Sequence, residues 1–119
     1  MLTAGVDIIE IHRIEKALAR HGERFLHRIY TPTEIAHARG RVVELAARFA
    51  AKEAVSKALG TGMRGIGWRE IEIVADHRGK PLVVLHGRAA QRAKYLGLQS
   101  FAISLSHSRE QAIAVVVAI

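Results

Sequence analysis

Residues 42–59 have the sequence VVELAARFAAKEAVSKAL, and this stretch decides the fold. Alanine, leucine, lysine, arginine and glutamate favour helix, so the composition predicts one long helix from Val42 to Leu59, closed by Gly60 in the left-handed conformation. At about 100° per residue, one side of this helix is apolar and packs. The other side carries the polar residues and is expected to be free for chemistry: Lys52, Glu53, Ser56 and Lys57.

Three segments before this helix have patterns that predict secondary structure. Residues 5–11 (GVDIIEI) are short and rich in β-branched residues, which predicts a mostly buried strand. From Ile11 to Arg20 apolar residues recur at helical spacing among basic ones, which predicts a basic amphipathic helix that stops at Gly22. The sequence Thr31-Pro32-Thr33-Glu34 combines a threonine cap, proline in the first turn and glutamate three residues after the cap. It predicts a helix start, with Gly40 as the end.

After the long helix, the sequence predicts four strands and one further helix. Residues 71–74 and 81–85 are predicted strands of a hairpin, residues 87–95 a helix, and residues 101–105 and 112–119 two further strands. The order of strand, three helices, two strands, helix and two strands lacks regular strand–helix alternation. It predicts an α+β fold in which an antiparallel sheet packs on the long helix, as one domain over residues 1–119.

Composition and charge narrow the function classes. The chain has no cysteine, which excludes disulfides, thiolate metal sites and a cysteine nucleophile. It has neither a secretory signal nor an apolar stretch long enough to cross a bilayer, so we expect a cytoplasmic protein with no membrane partner. The formal charge of +7 favours anionic partners. A basic nucleic-acid-binding module without catalysis is one alternative, although aromatic residues for base stacking are few.

Asp7 is the anomaly of the first strand, because an acid among apolar residues needs a partner. One or two carboxylates with ligand phosphates and water form the usual Mg²⁺ site, which Asp7 and Glu53 fit if the strand packs beside the long helix. Two other interpretations stay open. In the first, Asp7 pairs with an arginine. In the second, Glu53 forms a surface ion pair with Lys57, four residues later.

Two loops also carry candidate chemistry. Residues 60–67 (GTGMRGIG) contain four glycines, which allow backbone amides to approach a phosphate. They follow a helix instead of opening one, and no G-x-x-x-x-G-K-[ST] motif exists, so a dinucleotide fold and a P-loop are rejected. His107, between two serines, either binds phosphate or moves a proton, or is an ordinary exposed turn histidine.

Four motifs together resemble those of the holo-acyl-carrier-protein synthases, the small type of phosphopantetheinyl transferase. They are GVDIIE at residues 5–10, RFAAKEAVSKALGTG at 48–62, GKP at 79–81 and ISLSHS at 103–108. The second motif is the most specific, and the four span almost the whole chain. The resemblance implies a phosphopantetheinyl transferase fold, a homotrimer with active sites between subunits, and a place in fatty acid biosynthesis.

The resemblance also implies an activity and a set of residues. The enzyme would transfer phosphopantetheine from coenzyme A to a serine of apo acyl carrier protein, releasing adenosine bisphosphate, with no nucleic-acid partner. Asp7 and Glu53 match the family's Mg²⁺ ligands, and Lys57 matches a lysine at the coenzyme A phosphates; these three are the expected catalytic residues. The residues that match the coenzyme A pocket are Arg48, Ser56, Gly60, Thr61, Pro81, Ser106 and His107. Arg13 and Arg20 match the basic first helix that receives the carrier protein.

Overall fold

The protein is an α+β domain, described for residues 1–119 by a computed structural model. Five helices and five strands alternate irregularly along the chain. They are β1 (Thr3–Glu10), α1 (Ile11–His21), α2 (Glu23–Ile29), α3 (Pro32–Ala38), α4 (Val42–Ala58), β2 (Ile71–Ala75), β3 (Pro81–Leu85), α5 (Gly87–Leu96), β4 (Phe101–His107) and β5 (Gln111–Ala118). A short 3-10 helix, Trp68–Glu70, precedes β2. None of the helices has both the length and the apolar character that crossing a bilayer requires.

The strands form two antiparallel sheets instead of one. The larger sheet has the order β1-β5-β4, and the smaller is the β2-β3 hairpin that the sequence predicts. In β5 the residues alternate strictly between buried and exposed, with Ala112, Ala114, Val116 and Ala118 pointing inward. Such alternation is expected when only one face of a sheet is covered by helix.

The long helix α4 is the centre of the core and lies across the inner face of the larger sheet. The residues that it buries include many small ones, which let neighbouring backbones approach closely: Ala47, Ala50, Ala51, Ala54 and Ala58. The predicted packing of an antiparallel sheet on one long helix is therefore confirmed.

The sequence analysis missed one helix, α2. Gly22, with φ +52°, does end α1, but a second helix begins directly after it. α2 has only seven residues, too few for a helical period to stand out, and it is held by burial of Ile29 and the adjoining Tyr30. Tertiary packing of this kind, rather than local propensity, stabilises most short helices. Four helices, not three, therefore precede the hairpin.

Candidate active site

β1 and α4 touch at Gly5. A β-carbon built on Gly5 would lie 2.0 Å from the carbonyl oxygen of Ala54 and 3.0 Å from the backbone nitrogen of Ala58. Only glycine permits this approach. Near the start of the strand, Thr3 Oγ1 donates a 2.9 Å hydrogen bond to the carbonyl oxygen of Ala58. The strand is therefore fixed against the last two turns of the helix, and its next polar residue, Asp7, comes to lie beside that helix.

Asp7, Glu53 and Lys57 form one charged cluster at this contact. Lys57 Nζ donates to Asp7 Oδ1 and to the carbonyl oxygen of Val6, both at 3.0 Å. The partner of Asp7 is thus a lysine, so the arginine pairing considered above is wrong. The expected Glu53–Lys57 ion pair does not form either, because Lys57 reaches across to the strand instead.

The charge of Asp7 also acts on Glu53. Burial and the neighbouring Asp7 carboxylate raise the pKa of Glu53, while the cations of Lys57 and Arg13 oppose that rise. Two carboxylates held close enough to repel one another favour a bound cation between them. Mg²⁺ is coordinated in this way, by one or two carboxylates with phosphate oxygens and water. The cluster of Asp7, Glu53 and Lys57 is therefore a candidate site for such an ion.

The rest of the supposed polar side of α4 lies inside the protein. Lys52 is completely buried, and its Nζ donates to Glu34 Oε1 (2.8 Å), to the carbonyl oxygen of Ile71 (2.5 Å) and to that of Trp68 (3.1 Å). Ser56 is also fully buried, and its Oγ donates to the carbonyl oxygen of Glu53 at 2.7 Å. The prediction of one free polar face is therefore wrong, and only Glu53 and Lys57 are left on it.

The glycine-rich segment after α4 closes the helix. The amides of Gly60, Thr61 and Gly62 all donate to carbonyl oxygens of Ser56 or Lys57, and Gly60 and Gly62 have positive φ angles. These three donors are therefore not available to a phosphate, and the carboxyl-terminal end of a helix repels anions. The expectation of a phosphate cradle is wrong for these amides.

A cleft of about 630 Å³ gathers four of the predicted coenzyme A residues: Arg48, Pro81, Ser106 and His107. They come from α4, β3 and the end of β4. The residues that line the cleft include neither Asp7, Glu53 and Lys57 nor Ser56, Gly60 and Thr61. Within one chain, the cleft thus contains four of the seven predicted pocket residues, and the carboxylates of Asp7 and Glu53 lie outside it.

The cleft is strongly basic. Besides Arg48, its lining contains Arg39, Arg41 and Lys80, against the single carboxylate of Glu44. Arg48 is only 4% exposed, its Nη1 donates to Glu44 Oε2 at 2.8 Å, and its Nε is buried without a partner. An excess of cations with an unused donor suits a polyanionic ligand.

Comparison with known proteins identifies the family of this chain. A family model described as 4'-phosphopantetheinyl transferase superfamily matches residues 3–116. The chain belongs to this superfamily. The holo-[acyl-carrier-protein] synthase of Herpetosiphon aurantiacus is 53% identical to it over 124 residues, covering 98% of each chain. That of Moorella thermoacetica is 50% identical over 118 residues, covering 97% of this chain and 91% of the relative.

Solved structures of the synthases have the same fold. The holo-[acyl-carrier-protein] synthase of Helicobacter pylori, in complex with coenzyme A, superposes with a TM-score of 0.89 at 37% identity, covering 98% of this chain and 99% of that one. The enzyme of Neisseria meningitidis gives 0.89 at 38% identity, covering 98% and 97%. The family resemblance drawn from the motifs is therefore confirmed.

Sequence reasoning missed several residues of this transferase's cleft. Arg39 and Arg41 flank the turn between α3 and α4, and Glu44 lies in the first turn of α4. The only available signal was the density of arginines in residues 39–48, which a pattern search treats as ordinary surface charge. Lys80 was within reach of prediction, because it lies inside the quoted GKP motif.

The predicted docking arginines lie on α1. Arg13 and Arg20 are both exposed, and Arg20 lines a shallow groove with Lys16 and His21. Arg13 is near enough to Glu53 for its charge to lower the pKa of that carboxyl group, against the net rise. The basic side of α1 therefore borders the carboxylate cluster of the transferase.

Proposed function

We propose that this chain transfers phosphopantetheine from coenzyme A to a serine of apo acyl carrier protein, with Mg²⁺ held by Asp7 and Glu53. The observation that carries the proposal is the contact of Gly5 with Ala54, which places the two carboxylates side by side. Families share folds more widely than activities, so the site rather than the fold supports the function.

The residues of the cluster have distinct roles in this proposal. When bound, the ion supplies positive charge to the pyrophosphate oxygens of coenzyme A. Lys57, whose ammonium lies 3.0 Å from Asp7, stabilises the phosphoryl oxygens as charge develops on them. Glu53, directly or through a water, accepts the proton of the carrier serine, because its carboxylate belongs to the cluster that this serine must reach. The serine oxygen then bonds to the β-phosphorus as the bond to adenosine 3',5'-bisphosphate breaks.

The basic cleft takes the nucleotide half of coenzyme A in this proposal. Four cationic side chains face the three phosphates of that half, and Pro81 and His107 complete the wall. The Helicobacter pylori relative was solved with coenzyme A bound, which supports the ligand class. The remaining pocket residues from the family motifs, Ser56, Gly60 and Thr61, stay proposals for the coenzyme A site through their place in the motif.

Two features of the single chain support the proposed homotrimer. The outer face of the larger sheet is apolar and exposed: Val6, Ile8, Ile113, Val115 and Val117. Exposed apolar patches of this kind mark interaction surfaces. In addition, the carboxylate cluster and the cleft lie in different places on one chain, so a neighbouring copy that brings its cleft to the cluster would complete the site. The number three comes from the family resemblance.

The acidic carrier protein docks on α1 in this proposal, with Arg13 and Arg20 as its contacts. The exposure of both arginines and the position of Arg13 near Glu53 support this, because the carrier serine must reach the cluster. Opposite charges also speed encounter. A cytoplasmic location and a role in fatty acid biosynthesis, both expected from the sequence, complete the proposal.

One assay tests the activity directly. The protein is incubated with coenzyme A, Mg²⁺ and an apo carrier, and the carrier is weighed by mass spectrometry for an added phosphopantetheine. We expect full conversion, none in the presence of a chelator, and a loss of at least about 100-fold for Glu53→Gln and Asp7→Asn. Glu110→Gln, which alters an exposed carboxylate without an ion pair, is the matched control and should retain activity. Normal rates in both site variants would remove the carboxylate pair from the mechanism.

The alternative of a basic nucleic-acid-binding module finds no support among the relatives, all of those described above being synthases. It predicts tight binding of DNA or RNA that weakens steeply with salt and does not respond to chelation. The same chelator experiment separates the two, because only the enzyme depends on the ion.

A further inference from the structure

Lys52 and Glu34 form a fully enclosed ion pair next to the carboxylate cluster. Both side chains are 0% exposed. The three protons of Lys52 have three acceptors, namely Glu34, the carbonyl oxygen of Trp68 in the 3-10 helix and that of Ile71 at the start of β2. Glu34 in turn accepts from the amides of Thr31 and Ile73. The pair therefore joins α3, α4 and β2 through bonds of fixed direction.

Such a pair is a poor device for stability alone. The free energy needed to desolvate two charges offsets much of their mutual attraction, and apolar residues of similar size often stabilise a core equally well. Burial indeed lowers the pKa of Lys52, against the attraction of Glu34. Because every donor and acceptor of the pair is matched, we take its main contribution to be the relative orientation of α3, α4 and β2, and not the free energy of unfolding.

α4 needs such a directional contact. Many of the residues that α4 buries are alanines, whose short side chains specify the rotation of the helix about its axis less sharply than directional hydrogen bonds do. Lys52, Glu53 and Ala54 follow one another at steps of about 100° around that axis. Lys52 points to Glu34 and Ala54 touches Gly5, so the helix is held on both sides of Glu53.

We infer that Lys52 and Glu34 are positioning residues of the transferase, which fix the rotation of α4 and thereby the distance between the carboxylates of Glu53 and Asp7. The inference rests on the proposed function for its catalytic consequence. Its structural part, the rotation of α4, can be measured separately. Neither residue touches substrate; both act through Glu53.

The test uses Glu34→Gln combined with Lys52→Met, which removes both charges and leaves no buried ion alone. We expect a folded protein whose affinity for Mn²⁺, measured by electron paramagnetic resonance with coenzyme A present, falls about tenfold or more, with a similar fall in kcat. A crystal structure should show a changed distance between the carboxylates of Asp7 and Glu53. Leu98→Ala, a core truncation in the segment between α5 and β4, is the control: it lowers Tm and leaves Mn²⁺ affinity and kcat unchanged.

If the double variant behaves like the Leu98→Ala control, losing Tm alone, the inference is overturned. Should the double variant fail to fold, Glu34→Asp keeps both charges and shortens the reach of the carboxylate by one methylene. It must then lower Mn²⁺ affinity and kcat by a smaller factor, and unchanged values overturn the inference. Failure of the proposed function gives a different result: Glu53→Gln would bind Mn²⁺ as the wild type does, while the crystal structure still reports whether α4 has rotated.

Discussion

Val6 lies directly opposite Val115 in the register of β1 and β5, and both side chains are exposed, at 52% and 42%. Their neighbours on β1 and β5 are also apolar, while Ser104 of β4 lies opposite Val115, so a copy of the chain placed here would bury a mainly apolar patch. Val115→Glu should put a charge at the centre of this surface, where desolvation of a carboxylate without a partner is unfavourable. We expect the proposed trimer to dissociate, which sedimentation velocity would show as a threefold lower mass.

The same substitution should also reduce transfer by at least about tenfold, because the cleft and the carboxylate cluster would no longer meet. Tyr95→Glu is the matched control, since Tyr95 is 81% exposed but lies on α5, away from the sheet. A Val115→Glu protein that still sediments as a trimer would show that this face does not form the interface.

The closeness of Gly5 to Ala54 gives a second prediction. Gly5→Ala must push β1 away from α4, and overpacking of this kind costs about 1–3 kcal/mol of unfolding free energy. We expect a lower Tm and a loss of transfer of about 100-fold, larger than the instability explains, because Asp7 moves away from Glu53.

Gly97→Ala is the control that separates the steric clash expected at Gly5 from the loss of stability caused by replacing any glycine. Gly97 has φ +76° and nothing within 4 Å of its added β-carbon, so the alanine is strained but has room. Its cost should be about 1 kcal/mol, with normal activity. A Gly5→Ala enzyme as active as Gly97→Ala would mean that the β1–α4 contact does not place Asp7.

The sequence was enough to predict the elements whose signals are local. α4 was placed at residues 42–59 and is Val42–Ala58, because helix formers fill it and Gly60 follows. The start of α3 was predicted from its cap, and the structure has both reciprocal bonds between Thr31 and Glu34. The neighbourhood of Asp7 and Glu53 was also expected, since an acid in an apolar strand needs a partner.

The features that were missed depend on residues distant in sequence. The angular position of Lys52 on the helix predicts a free polar side chain, whereas its actual partner Glu34 lies 18 residues earlier on another helix. The cleft joins the turn before α4 to the ends of β3 and β4. No local pattern in a single sequence predicts that these distant segments form one cleft. The resemblance to the family motifs, however, predicted four of the residues that line the cleft.

Docking of the carrier protein gives a third prediction. Arg20→Glu should raise KM for the carrier about tenfold and leave KM for coenzyme A unchanged, because it reverses one charge on the surface that an acidic partner approaches. Arg20 is a cleaner test than Arg13, whose charge also acts on Glu53. High salt should reduce the difference between wild type and variant, since screening weakens both interactions.

Lys94→Glu makes the same change of net charge on α5 and is the control for general electrostatics. It should alter neither constant by more than about twofold. Equal increases of KM for both substrates in Arg20→Glu, or equal effects of the two variants on the carrier, would contradict docking on α1.

Acid should destabilise the protein in part through Glu70. Burial by itself would raise the pKa of Glu70, but hydrogen bonds from the amides of Gly67 and Arg88 and from the Arg88 side chain outweigh it, so the pKa lies below the ordinary value of 4.5. The unfolded chain then binds this proton more tightly than the folded protein does. The stabilisation is complete above pH 4.5 and is lost as the pH falls through the lowered pKa.

Glu70→Gln should therefore lower Tm by about 3 °C at pH 7, and the difference from wild type should shrink as the pH falls below 4.5. Differential scanning calorimetry across that range measures it. Glu110→Gln, at an exposed position without an ion pair, should follow the wild-type curve at every pH. Because Glu70 joins the 3-10 helix to the start of α5, a Tm difference that stayed constant down to pH 3 would mean that its shape, and not its charge, holds these two segments together.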